Sequence, residues 1–143
     1  MLLPVTLTFA AACALLNFWL AIRCARIRIG DKVLHGDGGN GLLARRMRAH
    51  ANFIEYAPIV LILFALIELA AGPSPWLWGV ALAYIAARLA HGFGMDAQAP
   101  TVWRAGGILV NWVVMLGLAT WALGIAYSAP RPMAMPPAMA MHG

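Results

Sequence analysis

Residues 45–58 read RRMRAHANFIEYAP and lead directly into the apolar run IVLILFALIELA at residues 59–70. On a helix, spacings of three, four and three residues place four polar side chains on one face: Arg45, Arg48, Asn52 and Glu55. Polar groups at this position are costly in lipid, so they must face protein or a water-filled cavity. The stretch therefore predicts a membrane helix whose polar stripe faces protein or a water-filled cavity.

The composition of the whole chain indicates an integral membrane protein. Of its 143 residues 63% are hydrophobic and 10% are charged, whereas a soluble domain carries about 25% charged residues. The net charge of +5 could suggest a nucleic-acid partner, but the basic residues concentrate where membrane loops are expected. We therefore interpret them as topology signals and expect no nucleic acid.

Four apolar segments predict an all-α bundle of four transmembrane helices in one domain, residues 1–127. The predicted spans are about residues 3–22, 42–71, 76–91 and 101–127. A glycine-rich loop follows the first span, Gly72-Pro73-Ser74-Pro75 forms a tight turn after the second, and Thr101 is a candidate helix cap. Most of the basic residues lie in or beside the first loop, with Arg88 and Arg104 flanking the third, and the second loop has none. We therefore expect the first and third loops in the cytoplasm and both termini in the periplasm.

The tail at residues 128–143 is rich in methionine, proline and alanine, which predicts disorder. No metal is expected elsewhere. An alternative is copper handling, because thioether sulfurs and imidazole suit Cu(I). The candidate ligands in the tail are Met133, Met135, Met139, Met141 and His142.

Polar groups on three predicted helices can converge at the cytoplasmic side. The third span presents Tyr84, Arg88, His91 and Met95 on one face, and Arg104 begins the fourth. Together with the stripe on the second span they predict a cationic pocket for an anionic ligand beside an apolar one. The alternative is structural. Arg88 and Arg104 could reach the membrane surface as topology residues, as we expect of Arg28 and Arg46, and Glu55 could neutralise an arginine. His91, and Glu68 near the other surface, could be interfacial residues.

The segment RAHANFIEYAP at residues 48–58 resembles the signature of the MAPEG family, the membrane-associated proteins of eicosanoid and glutathione metabolism. Gly-Asp-Gly-Gly at residues 36–39 and Ala-Arg-Leu-Ala-His at residues 87–91 are similar to its bacterial branch. The resemblance covers residues 1–127. It implies a four-helix subunit of a homotrimer in the bacterial inner membrane, with glutathione bound between subunits at the cytoplasmic side.

The resemblance also implies roles for individual residues. Glu55 would engage the amino group of glutathione, and Arg48 and Arg88 its carboxylates. The remaining residues of the predicted glutathione site are Arg45, Asn52, Tyr56 and His91. Arg104 resembles the family arginine that stabilises the glutathione thiolate, and a guanidinium lowers the pKa of a nearby thiol.

The expected activity is conjugation of glutathione to a lipophilic electrophile from the bilayer, or reduction of a hydroperoxide. One position departs from the family pattern, because Met95 stands where eukaryotic members commonly have tyrosine. A non-catalytic subunit of a larger membrane complex is therefore the alternative.

Overall fold

The computed structural model describes residues 2–128 as an all-α bundle, which confirms the predicted fold class. The helices of this range are α1 (Pro4–Asp31), α2 (Gly41–Ala71), α3 (Pro75–Gly94) and α4 (Val102–Ser128). The segments 32–40 and 95–101 lie at the same end of the bundle, which we call the basic end. The tail residues proposed for copper, Met133, Met135, Met139, Met141 and His142, lie outside the described residues.

Short polar residues begin three of the helices. Asn40 Oδ1 accepts hydrogen bonds from the backbone N–H groups of Leu42 and Leu43, both at 3.0 Å, at the start of α2. Ser74 caps α3 in the same way. Thr101 Oγ1 accepts from the Arg104 N–H at 3.2 Å, which confirms the predicted cap of α4. Each cap satisfies amide groups that have no partner within the helix.

Among the described residues, α1, α2 and α4 are long and apolar enough to cross a membrane. α3 has 20 residues but is not in this group, and it contains the polar residues Arg88 and His91. Both of these side chains are buried inside the bundle. The polar groups of α3 therefore face protein, as the sequence pattern required.

Aromatic side chains join three helices in the core. The Phe9 and Phe64 rings stack with centroids 4.3 Å apart, and Tyr84 meets Phe9 edge-on at 5.4 Å. All three side chains are almost fully buried. These contacts bring α1, α2 and α3 together and leave the polar face of α3 directed toward α2 and α4.

Glu68 is not the interfacial residue that the sequence suggested. Its side chain is fully buried, and its carboxylate accepts hydrogen bonds from the backbone N–H groups of Val5 at 3.0 Å and Thr6 at 2.7 Å. Leu3, the residue directly before α1, has no side-chain group that caps the helix. Glu68 of α2 therefore caps the first turn of α1, where the helix dipole favours a negative charge.

Candidate functional site

A cavity of about 350 Å³ opens at the basic end between α2, α3 and α4. It contains four of the predicted site residues: Arg48, Asn52, His91 and Arg104. The rest of its wall is Met95, Pro100, Thr101, Ala105 and Ile108. The structure thus places residues from three separate parts of the sequence around one space.

Arg48 and Glu55 form an ion pair along α2. Arg48 Nη1 and Nη2 lie 2.9 and 3.3 Å from the two carboxylate oxygens of Glu55, two helical turns away. The side chains are 60% and 47% exposed, respectively. Arg48 lines the cavity, whereas Glu55 lies beside it. The pair is therefore accessible to a ligand that carries both a carboxylate and an ammonium group.

Arg88 lies behind the cavity. Its side chain is buried and stacks over the Phe53 ring at 5.4 Å, while Nη1 donates to Asn52 Oδ1 at 2.9 Å. This bond directs the amide nitrogen of Asn52 away from Arg88. In this arrangement Arg88 orients Asn52 and adds positive charge behind the wall, but it does not itself form part of the wall.

The backbone of Arg104 is fixed from two sides. His91 Nδ1 lies 3.0 Å from the Arg104 carbonyl oxygen, and a carbonyl can only accept, so Nδ1 is the donor. On the other side, Arg104 N–H donates to Thr101 Oγ1, which in turn donates to the Gly94 carbonyl at 3.3 Å. These bonds hold the start of α4 against the end of α3.

Gly107 allows this close approach of α3 and α4. A Cβ atom at this position would lie 2.6 Å from the Ala87 carbonyl oxygen and 2.7 Å from the His91 Cβ. Only glycine therefore fits where the two helices cross. The crossing lies one turn from Arg104 and sets the distance between Arg104 and His91.

Two other predicted site residues make contacts outside the cavity wall. Arg45 Nε donates to the backbone carbonyl of Asp96 at 3.2 Å. The Tyr56 hydroxyl accepts from Trp112 Nε1 at 3.2 Å and links α2 to α4. Contact of either residue with glutathione stays a prediction.

Asp96 is the residue that the sequence analysis missed. Its carboxylate lies 2.6 Å from Arg23 Nη2 and accepts two hydrogen bonds from Arg46, at 3.0 and 2.9 Å. Partial burial alone would raise the pKa of Asp96, but its hydrogen bonds and the neighbouring arginine charges hold that pKa below its ordinary value. One signal was present, since Asp96 is the only acidic residue after Glu68.

The cavity wall combines positive charge with apolar surface. It carries two guanidinium groups and no carboxylate, while Met95, Pro100 and Ile108 supply apolar area. Such a wall favours an anionic ligand placed beside an apolar one. No group of three or more His, Cys, Asp or Glu side chains within residues 2–128 could hold a metal.

Comparison with known proteins gives a family match over residues 6–124, a range that reaches into all four helices. This chain belongs to the MAPEG family. Two relatives, both named inner membrane protein YecN, come from Escherichia coli strain K12 and from Escherichia coli O6:H1. Each is 30% identical to this chain over 113 residues, covering 78% of this chain and 85% of the relative.

Membership of the MAPEG family confirms the resemblance on which the sequence analysis relied. The match contains the stripe of α2, the polar face of α3 and Arg104 of α4. The name of the MAPEG relatives gives a location and no activity. What the cavity binds must therefore be argued from its own residues.

Proposed function

We propose that this MAPEG protein binds glutathione in the cavity at the basic end and stabilises its thiolate with Arg104. The observation that carries the proposal is the convergence of Arg48, Asn52, His91 and Arg104 on one cavity whose wall has no carboxylate. Glutathione is an anionic peptide with two carboxylates, one ammonium group and a thiol. Each of these groups has a complementary partner in or beside the cavity.

The ion pair on α2 is the recognition element for the ends of the peptide. A ligand carboxylate can replace Glu55 at Arg48, and the ligand ammonium can take the place of Arg48 at Glu55. Because the pair is exposed on the single chain, this exchange disturbs no charge that is buried within the chain. Asn52, oriented by Arg88, presents its amide nitrogen to a peptide carbonyl or carboxylate.

Arg104 supplies the chemical step. A guanidinium beside the sulfur favours the charged form, so the thiol releases its proton to water at a lower pH. The thiolate sulfur then bonds to an electrophilic carbon and displaces a leaving group. Alternatively it bonds to the terminal oxygen of a hydroperoxide as the O–O bond breaks, and the departing alkoxide takes a proton from water to become the alcohol. A second glutathione thiol then attacks the resulting sulfenic acid, which gives the disulfide and releases water. Both reactions begin with the same thiolate.

The experiment is a titration of purified, detergent-solubilised protein with glutathione, following the ultraviolet band of the thiolate. We expect saturable binding with a thiolate band, loss of the band in Arg104→Ala, and weaker binding with the band retained in Glu55→Gln. Lys32→Gln is the matched control, since it removes one positive charge from the loop between α1 and α2. Absence of binding at millimolar glutathione would overturn the proposal.

A second candidate function is glutathione binding without catalysis, as a subunit of a larger membrane complex. Met95 favours it, because this side chain forms part of the cavity wall where eukaryotic members of the family commonly have a tyrosine hydroxyl. Binding without a thiolate band would support this candidate. Restoration of the band by Met95→Tyr would assign the difference to the missing phenol, and stoichiometric copurification of a foreign subunit would identify the complex.

We propose that the basic end faces the cytoplasm, in an inner membrane like that named for the YecN relatives. The arginines near segments 32–40 and 95–101 support this orientation, whereas the turn at residues 72–75 has no basic residue. A membrane-impermeant thiol reagent added outside the cell should label Pro73→Cys and not Asp37→Cys. The reverse pattern would invert the topology.

We also propose that the chain assembles as a homotrimer. The ion pair between Arg48 and Glu55 is exposed on α2, a helix apolar enough to cross a membrane. Lipid tails offer no hydrogen-bond or ionic partners to these groups, so we expect another copy of the chain to pack over them.

A further inference from the structure

The segment 95–101 is held at one point by three arginines from two helices. Asp96 Oδ2 lies 2.6 Å from Arg23 Nη2 of α1 and 2.9 Å from Arg46 Nη2 of α2, and Oδ1 accepts from Arg46 Nε at 3.0 Å. The backbone carbonyl of Asp96 accepts from Arg45 at 3.2 Å. Such charge-assisted and bidentate bonds are the stronger kind of side-chain hydrogen bond.

Arg23 is itself rigidly held. It is buried, its guanidinium lies 4.4 Å above the Trp19 ring, and its Nη1 donates to the Gly92 carbonyl at 2.8 Å. Arg46 Nη1 also lies 3.3 Å from the Arg23 carbonyl oxygen. The cluster of Arg23, Arg46 and Asp96 thus joins α1, α2 and the end of α3.

None of these three residues lines the cavity, but the segment they hold does. Met95, directly before Asp96, and Thr101, at the other end of the segment, both form part of the wall. Thr101 also accepts the backbone N–H of Arg104. A continuous path of covalent and hydrogen bonds therefore runs from Asp96 to the residue proposed to stabilise the thiolate.

We propose that Asp96 is a positioning residue that fixes the segment 95–101 and, through Thr101, the place of Arg104 in the cavity. The inference rests on the proposed function for its chemical consequence, but its structural part is independent of any ligand. A tie that served folding alone would affect the stability of the protein and leave the chemistry of a bound thiol unchanged.

Two variants break the cluster to different degrees. Asp96→Asn removes the charge that the buried Arg23 requires, so it can fail to fold. Arg46→Gln is milder, because Arg46 is more exposed and the pair between Arg23 and Asp96 remains. Asp37→Asn is the matched control for charge. Its Oδ1 accepts the Gly39 N–H in the other loop, a bond that asparagine can also make.

The first measurement is hydrogen exchange of residues 95–105 in the ligand-free protein. We expect faster exchange in Arg46→Gln, and in Asp96→Asn where it folds, with no change in Asp37→Asn. Unchanged exchange would overturn the inference, whether or not the protein binds glutathione.

The second measurement is the pH midpoint of the thiolate band of bound glutathione. A neighbouring positive charge lowers a pKa by about 1–3 units, so displacement of Arg104 should raise this midpoint by about one unit in Arg46→Gln. Faster exchange with an unchanged midpoint would mean that Asp96 stabilises the segment 95–101 without affecting the thiolate. That result would overturn the positioning role. If the wild-type protein binds no glutathione, the proposed function fails, and exchange alone decides whether Asp96 holds the start of α4.

Discussion

At the scale of single residues, the carboxylate of Glu68 stabilises the bundle by joining α2 to the start of α1. It satisfies two backbone N–H groups of α1 from a fully buried position. Leaving a buried donor unsatisfied costs about 1–3 kcal/mol, so Glu68→Ala should strongly lower the free energy of unfolding. Glu68→Gln retains one acceptor and should lose less. Thermal unfolding in detergent tests the order, and equal midpoints for Glu68→Ala and wild type would refute the capping role.

The carboxylate of Asp96 should also make the local stability of the basic end depend on pH. Its folded-state pKa is lowered, so its stabilising effect is complete above the ordinary carboxyl value of about 3.9 and is lost as pH falls through the lower folded value. We therefore expect the protection of residues 95–105, measured relative to their intrinsic exchange rates, to fall below about pH 4 in the wild type. In Asp96→Asn this protection should be low throughout and should lose the acid dependence. An identical acid response in both proteins would assign it to another carboxylate.

Helical periodicity predicted which residues could share the site, but it did not predict their partners. Spacing alone placed Arg48 and Asn52 on one face, and the structure puts both in the cavity wall. It gave no indication that Arg46, taken as a topology residue, binds Asp96. Such contacts join residues about fifty positions apart, and they depend on how the helices pack, which hydropathy and spacing do not encode.

At the scale of elements, the crossing of α3 and α4 depends on Gly107. Gly107→Ala places a methyl group against the backbone of α3, where neither neighbour can move aside. Overpacking of this kind costs about 1–3 kcal/mol and should separate Arg104 from His91, so both thermal stability and glutathione affinity should fall. Gly106→Ala is the control, because nothing lies within 4 Å of its added Cβ and alanine favours the helix. Equal glutathione affinities for Gly107→Ala and Gly106→Ala would show that the site does not depend on the crossing of α3 and α4.

The sequence predicted the starts and ends of helices unequally. α2 and α4 match the predicted spans within about a residue, because the caps Asn40 and Thr101 and the turn after Ala71 coincide with the limits of the apolar segments. α1 continues to Asp31 and α3 to Gly94, beyond their predicted spans. Hydropathy marks the part of a helix that suits lipid, whereas the hydrogen-bonded helix continues for as long as no residue interrupts it.

At the scale of the whole molecule, the family and the all-α membrane bundle were both predicted from the sequence and are confirmed. A short polar motif inside an apolar chain is informative enough for both. The oligomeric state is different, because it depends on surfaces that a single chain leaves exposed. Among these surfaces, the face of α2 around the ion pair between Arg48 and Glu55 is the one that lipid suits least.

A homotrimer predicts a particle of three times the 15.3 kDa of the chain in native mass spectrometry from mild detergent. Ile59 is 52% exposed and lies four residues after Glu55, on the same face of α2 that another copy should cover. Ile59→Trp should therefore shift the population toward smaller species and lower glutathione affinity in parallel. Leu82→Trp, which enlarges an exposed apolar side chain on α3, is the matched control and should leave the trimer intact. A monomer that binds glutathione with full affinity would show that one chain forms the whole site, and the exposed ion pair would then serve as the entrance for the peptide.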